Sequence, residues 1–423
     1  MNTHNKQTIH FIGIGGIGVS GLGFIYLKQG HAVQGSDLEA SDITKKLAKK
    51  DCTIFIGHDK KNINKNINLV IYSEAVPDNN PELTKARKLG IKCLSGAEAL
   101  GEFAKNFFLI AVSGMHGKTT TASMISQIMI AADLDPSFII GTKSGSRLGK
   151  SKYLILEADD YKAKFLNYYP NILVLTNIEE EHMDYFKNLD HILETFQKYI
   201  KQVQDLIIYN KKDKNVLKII NAVKCKTIAY DTSHHINLGV PGYHNQQNAS
   251  ATLELARVLK IPDKIALKAL SEYKGVWRRF QKRYEINGTI IIDDYAHHPT
   301  EIQATLQGAK EKYPDQKIIA IFQPHQYERT RILFDDFTKS FGLADQVIIT
   351  DVYSVAGREK ILEPKGKDLA KATPNARYVA FQDLPAFISK LVFSQSSKIK
   401  KIAQPGQIIL LLGAGDIYNI KIS

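Results

Sequence analysis

The chain has 423 residues, 44% of them hydrophobic and 23% charged, a composition that suits a folded protein of two to four domains and excludes a disordered one. Lys and Arg number 56 against 43 Asp and Glu, a net charge of +13, but no basic run is interleaved with aromatics, so the excess reads as a lysine-rich solvated surface and no nucleic-acid partner is expected. The cysteines Cys52, Cys93 and Cys225 are far apart and in no metal-ligand spacing. With no signal core and no apolar run longer than a strand, they point to a cytoplasmic protein without membrane insertion.

In chain order, Thr8 to Ile14 is an apolar strand running into a glycine turn, and Leu69 to Ser73 is a second buried strand. Lys-rich segments with helical spacing lie around them, the βαβ rhythm of a parallel sheet. The turn, Gly13-Ile14-Gly15-Gly16-Ile17-Gly18, fits G-x-G-x-x-G. Glycines let backbone approach a pyrophosphate, and a following helix N-terminus favours negative charge. Gly15, Gly16, Ile17 and Gly18 are therefore candidate contacts to a nucleotide or nucleotide-sugar, with Asp37 at the end of the next strand for its ribose. A turn that only packs helix on strand is the plainer reading of the motif taken alone.

A second unit begins near Phe107. Phe107 to Ser113 is a strand, and Gly114-Met115-His116-Gly117-Lys118-Thr119-Thr120 opens a helix from about Lys118 to Ala131. The strict phosphate-loop motif would need a glycine where Val112 stands. What remains still has the required chemistry: backbone N–H groups for phosphate oxygens, Lys118 for the β- and γ-phosphates, and the Thr119 hydroxyl for Mg²⁺. Two phosphate-type loops on successive α/β units argue against a dehydrogenase, which needs one.

Tyr153 to Glu157 and Ile172 to Thr176 are further strands, ending in the acidic runs Glu157-Ala158-Asp159-Asp160 and Glu179-Glu180-Glu181-His182-Met183-Asp184. Glu157 and His182 are the candidate metal ligands, while Glu180 and Glu181 read as a solvated helix start. The polar stretch from Lys211 to Gly242 promises little regular structure, and His234 and His235 within it should be exposed. A third unit begins around Trp277, read as a hinge packing residue. Its strands are Thr289 to Asp294, Lys317 to Phe322, Gln346 to Asp351 and Gln407 to Leu412. His298, beside Pro299, reads as structural.

Several of these segments together resemble the Mur ligase family. They are the loop Gly114 to Thr120, Glu157-Ala158-Asp159, Thr176-Asn177-Ile178-Glu179 with His182-Met183-Asp184, His244-Asn245 with Asn248, and Gly413-Ala414-Gly415-Asp416-Ile417. Asp293-Asp294-Tyr295-Ala296-His297-His298-Pro299 and Phe322-Gln323-Pro324-His325 resemble the members that add L-alanine to UDP-N-acetylmuramate. The resemblance implies an α/β protein of three domains: a Rossmann-like UDP-sugar domain (1–104), a P-loop-type central ATPase domain (105–276) and a Rossmann-like C-terminal amino-acid domain (277–423). It implies ATP and Mg²⁺ as cofactors and Thr119, Glu157 and His182 as metal ligands. It places Gly114 to Thr120, His244, Asn245, Asn248 and Asp294 around ATP, and Arg279 on phosphate. Tyr295, His297, His325 and Arg329 would line the amino-acid pocket, and the chain would act as a monomer or homodimer. Met115, Lys162 and Gln326 depart from the usual residues at their positions, and the stretch from Tyr230 to Gly242 is shorter than in typical relatives.

The implied reaction joins a carboxylate to an amine. Phosphoryl transfer from ATP makes an acyl phosphate, and the process needs neutralisation and positioning more than covalent help. Lys118, Arg279 and magnesium would neutralise charge, and His297 or His325 could take the amine proton or merely hold the amino acid. Two other readings remain open: a ligase that attaches a preformed tripeptide to the same sugar nucleotide, and a sensor that binds UDP-sugar without catalysis.

Overall fold

The computed structural model describes residues 6–142, 145–354, 361–393 and 406–422. Their strands form three sheets. The first contains β1 (Thr8–Ile12), β2 (Ala32–Asp37), β3 (Thr53–Ile56), β4 (Leu69–Tyr72) and β5 (Lys92–Ser95), all parallel in the order β3-β2-β1-β4-β5. The second contains β6 (Phe108–Ser113), β7 (Ser137–Ile139), β8 (Ser146–Arg147), β9 (Tyr153–Glu157), β10 (Ile172–Leu175), β11 (Leu206–Asn210) and β12 (Lys226–Tyr230). Its order is β12-β11-β10-β6-β9-β7-β8, parallel except for the pair β7 and β8. The third contains β13 (Gln281–Ile286), β14 (Thr289–Asp294), β15 (Lys317–Phe322), β16 (Gln346–Ile349), β17 (Ala376–Tyr378) and β18 (Gln407–Leu412). Its order is β13-β14-β18-β15-β16-β17, with only β13 antiparallel.

These elements divide between two compact units. One contains the chain up to Glu180, Asn188–Asp231 and Ala249–Ala269, and so the first two sheets. The other contains Glu181–Lys187, Thr232–Asn248 and the chain from Leu270 onward, and so the third sheet.

Central parallel strands are covered on both faces and read as continuous apolar runs. In β18, Gln-Ile-Ile-Leu-Leu-Leu is buried throughout. Its side chains alternate between two cores, as the strand period of two requires. Ile408, Leu410 and Leu412 join Ile302 and Leu306 of the helix Pro299–Lys312 on one face. Ile409 and Leu411 join Ile388 and Val392 of the helix Leu384–Phe393 on the other. The third sheet is thus doubly wound, and its sites collect at the strand ends.

The expectation of little structure from Lys211 to Gly242 fails in its first half. A helix spans Lys214–Ile220, and β12 follows it. Asp213 caps the helix by accepting from Asn215 N at 3.0 Å and Val216 N at 2.8 Å, and Val216, Ile219 and Ile220 are buried. Two turns are too short to show a period. β12 lies at the sheet edge with three of its five residues exposed, so it carries no apolar signal. From Asp231 to Pro241 no regular element forms, and His234 and His235 are exposed as read. Among the described residues no helix is long and apolar enough to cross a membrane.

Candidate active site

In the first unit, β6 delivers Gly114 at φ +129°, where a side chain would collide with Thr176 Oγ1 and lie 2.8 Å from the Asn177 carbonyl oxygen. Only glycine fits. The loop is braced from the end of β10: Met115 N donates to Asn177 O at 3.1 Å, and His116 N to Asn177 Oδ1 at 2.8 Å. Thr176 Oγ1 and Asn177 Nδ2 donate to His116 O at 2.7 and 3.0 Å. Gly117, at φ +83°, caps the helix Lys118–Ala131, whose first turn carries Thr119 and Thr120, both buried.

The Lys118 ammonium donates to Gly114 O at 2.6 Å, Met115 O at 2.9 Å and Asp160 Oδ1 at 2.6 Å. Burial pulls its pKa down, but the Asp160 carboxylate, helped by Asp159 and Glu157, outweighs that and leaves it above the usual lysine value. Thr119 Oγ1 donates to Glu157 Oε1 at 2.7 Å, and Glu157 Oε2 accepts from Gly141 N at 2.7 Å. A hydroxyl and a carboxylate side by side at the mouth of a phosphate loop suit magnesium, a hard cation that takes oxygen ligands. His116 pairs with Glu179 at 2.8 Å.

The first glycine loop is built differently. Gly13 N and Ile14 N donate to Ser36 O at 2.8 and 3.0 Å, and Gly15 N to Asp37 Oδ2 at 2.7 Å. Gly16 caps the helix Ile17–Lys28, on which Gly18 has open space where a side chain would stand. The side chain of Ile17 lies outside what the structure describes. Under Ser36 sits a network that the sequence did not announce. Glu82 is fully buried and accepts from Ser36 Oγ at 2.5 Å and Asn62 Nδ2 at 2.6 Å, with His10 Nε2 at 3.2 Å. Burial raises the Glu82 pKa, but the hydrogen bonds from His10, Ser36 and Asn62 outweigh it and hold it below the ordinary glutamate value.

In the second unit, the four residues expected in the amino-acid pocket come together. Arg329 Nη1 lies 3.2 Å from His325 Nδ1. His325 stacks on Tyr353 with ring centroids 5.3 Å apart, and meets the His297 ring edge-on at 6.0 Å. The Tyr295 and His297 rings meet edge-on at 5.2 Å. His297 Nδ1 lies 3.0 Å from Tyr295 O and 3.0 Å from Glu301 Oε2. Arg279 also uses Glu301, at 3.3 Å, and stands 5.1 Å over the Tyr295 ring.

Asp294 is buried and spends its oxygens within this unit. Oδ2 accepts from Phe280 N at 2.6 Å, and Oδ1 from Ala296 N at 2.8 Å and Thr305 Oγ1 at 3.2 Å. Arg278, next to the expected phosphate contact, is buried and donates to the carbonyls of Gly413, Ala414 (3.3 Å) and Gly415 (3.2 Å), so it latches the closing glycine turn. His298 accepts from Thr300 N at 3.4 Å as the cap of Pro299–Lys312, a structural role as read. Trp277 packs edge-on against Tyr418. His244, Asn245 and Asn248 lie at the start of the helix Tyr243–Val258. Asn245 Nδ2 donates to Pro241 O at 2.6 Å, and Asn248 Nδ2 lies 3.4 Å from Asn245 Oδ1.

One expectation is overturned here. Glu181 is not part of a solvated helix start. No helix begins there, and Glu181 is 5% exposed, whereas Glu180 is exposed as read. Glu181 Oε1 accepts from Arg329 Nε at 3.0 Å and Nη2 at 2.7 Å. Burial pushes its pKa up, but Arg329, with His182, His297 and His298, holds it well below the usual carboxylate range. A run of three glutamates carries no local signal of which one a distant arginine will bury. His182, which follows, has a left-handed backbone at φ +56°.

The chain matches three family models in order: "Mur ligase family, catalytic domain" over residues 8–108, "Mur ligase middle domain" over 112–236, and "Mur ligase, glutamate ligase domain" over 278–415. Among its curated relatives, the UDP-N-acetylmuramate–L-alanine ligase of Clostridium acetobutylicum is 40% identical, over 98% of this chain and 96% of the relative. That of Acetivibrio thermocellus is 40% identical over 99% and 96%. Among solved structures, the UDP-N-acetylmuramate-alanine ligase of Thermotoga maritima superposes with a TM-score of 0.78 at 28% identity, covering 98% of this chain and 97% of that one. With a phosphate loop in one unit, a His-Arg-Tyr cluster in the other, and matches running from end to end, the chain belongs to the Mur ligase family.

Proposed function

We propose that this chain joins L-alanine to the carboxylate of UDP-N-acetylmuramate at the expense of ATP, releasing ADP and phosphate, as a cytoplasmic step in peptidoglycan precursor synthesis. The observation that carries this reading is that one chain holds both a Lys118 loop of the phosphate type, in one unit, and a cluster of Tyr295, His297, His325 and Arg329, in the other. The names of the most similar curated relatives point the same way. We assign residues 1–104 to the UDP-sugar, 105–276 to ATP and 277–423 to the amino acid.

A carboxylate is a poor electrophile. Its oxygen attacks the γ-phosphorus of ATP, ADP leaves, and the acyl phosphate so formed carries a good leaving group. Lys118 neutralises charge on the transferring phosphoryl group, and Arg279 adds to it once released from Glu301. Thr119 and Glu157, with His182, would hold magnesium, which supplies positive charge to the phosphate oxygens. His244, Asn245 and Asn248 are assigned to the nucleotide base and Asp294 to the ATP site, while Gly15 to Gly18 and Asp37 are assigned to the UDP-sugar.

The amine must lose a proton before it attacks the acyl carbon. The hydrogen bonds support different roles for the two candidate histidines. His297 Nδ1 donates to the Tyr295 carbonyl, which leaves Nε2 as a basic nitrogen. His325 Nδ1 accepts from Arg329, which leaves its Nε2 as a donor. His297 is therefore assigned as the proton acceptor and His325 as a positioning group.

Phosphate release measured with ATP, magnesium and UDP-N-acetylmuramate tests the reading. Release that depends on alanine, exceeding that with glycine, serine or the tripeptide, is expected. Release with the tripeptide alone would assign the chain to the other ligase, and none with any acceptor would leave a sensor.

A further inference from the structure

Glu181 is buried by a unit that also holds the candidate amino-acid pocket, and only one of its two oxygens is used. Oε1 takes both hydrogen bonds from Arg329. Oε2 is withdrawn from water and has no hydrogen-bond partner. A buried acceptor without a donor is costly to leave unmatched, so such an oxygen calls for an explanation. A free amino acid is a zwitterion. A site for it needs a cation for the carboxylate and, within a few ångströms, an anion for the ammonium. Arg329, one of the residues assigned to the amino-acid pocket, can be the cation, and the Glu181 carboxylate bonded to it has a spare oxygen. Tyr295, His297, His325 and Arg329, the pocket residues of the same unit, are each part-exposed.

We propose that Glu181 is the anionic contact for the ammonium group of the incoming amino acid, through Oε2. The inference rests on the reading of this chain as an alanine-adding ligase, and it adds a binding residue to the pocket. Glu181 holds and orients the ammonium, while His297 Nε2 remains the acceptor of its proton. The arrangement selects free α-amino acids over carboxylic acids of the same size, because only the former supply a donor to Oε2.

The test compares two ligands that differ only in the ammonium. In wild type and Glu181→Gln, the KM for L-alanine and the inhibition constant of propionate against alanine are measured with saturating ATP, magnesium and UDP-N-acetylmuramate. The expected result is an alanine KM raised at least tenfold in the variant, with the propionate constant changed by less than twofold. Equal loss for both ligands would reduce Glu181 to a prop for Arg329 and overturn the proposal, as would an unchanged alanine KM. Should Glu181→Gln fail to fold, Glu181→Asp keeps the charge but withdraws it by one methylene, and the same selective loss is required of it. If wild type shows no alanine-dependent phosphate release, it is the functional reading that fails. Calorimetric titration of wild-type and variant protein with L-alanine and with propionate then decides on Glu181 by the same selectivity.

Discussion

The two glycine loops begin alike, as a strand running into glycines and then a helix, and each is braced from the end of the neighbouring parallel strand, yet only the second carries a cation. The Gly13 to Gly18 loop spends its amides on its own sheet: Gly13 and Ile14 on the Ser36 carbonyl, Gly15 on the Asp37 carboxylate. The Gly114 to Thr120 loop is held by Thr176 and Asn177, just after β10 of its own sheet, and keeps a lysine folded over its own carbonyls. A loop that carries a cation suits a ligand whose phosphoryl group is transferred, and one without suits a ligand that is only gripped.

The largest effect should follow removal of the cation. Lys118→Ala is expected to lower ATP-dependent phosphate release by roughly 10³, while UDP-N-acetylmuramate binding followed by calorimetry stays within twofold. Loss of sugar-nucleotide binding as well would break the division between the loops.

A smaller effect is expected from the brace. Thr176→Val removes the hydroxyl that holds the His116 carbonyl. At about 1–1.5 kcal/mol for such a bond, kcat/KM for ATP should fall about tenfold with the thermal midpoint little changed. An unchanged value would mean that the loop holds its shape without β10.

Smaller still, Asp37→Ala frees Gly15 N and takes away the candidate ribose contact. The KM for UDP-N-acetylmuramate should rise about fivefold and that for ATP stay constant. A rise in the ATP value would place Asp37 in the wrong site.

The two loops should also differ slightly in their response to pH. Glu82, under the first loop, has a folded pKa below its unfolded value, so its contribution is present above about pH 4.3 and is lost as the pH falls below it. Lys118, in the second, has a raised pKa, so its contribution is full below about pH 10.4 and is lost only as the pH rises beyond it. Stability followed across the acid range should fall less steeply in Glu82→Gln than in wild type. Parallel curves would show that Glu82 does not set the acid limit.

Much of this was legible in the sequence because it is local. β6 and β18 declared themselves as apolar runs, and the Gly114 to Thr120 loop by residues adjacent in the chain. The missed features depend on partners far apart. Asp160 serves Lys118 across 42 residues, Glu82 reaches His10 across 72, and Glu181 reaches Arg329 across 148. No periodicity or spacing encodes such a pairing, and an acid beside other acids reads as solvated until the fold buries it. The helix Lys214–Ile220 escaped for another reason, since two turns show no period.

The most direct test of the account follows an oxygen atom. UDP-N-acetylmuramate labelled with ¹⁸O in its carboxylate is turned over with ATP, magnesium and L-alanine, and the released phosphate is analysed by mass. If the chain activates that carboxylate as an acyl phosphate, one labelled oxygen appears in the phosphate for each amide bond formed. Unlabelled phosphate, or release that is indifferent to alanine, would contradict it.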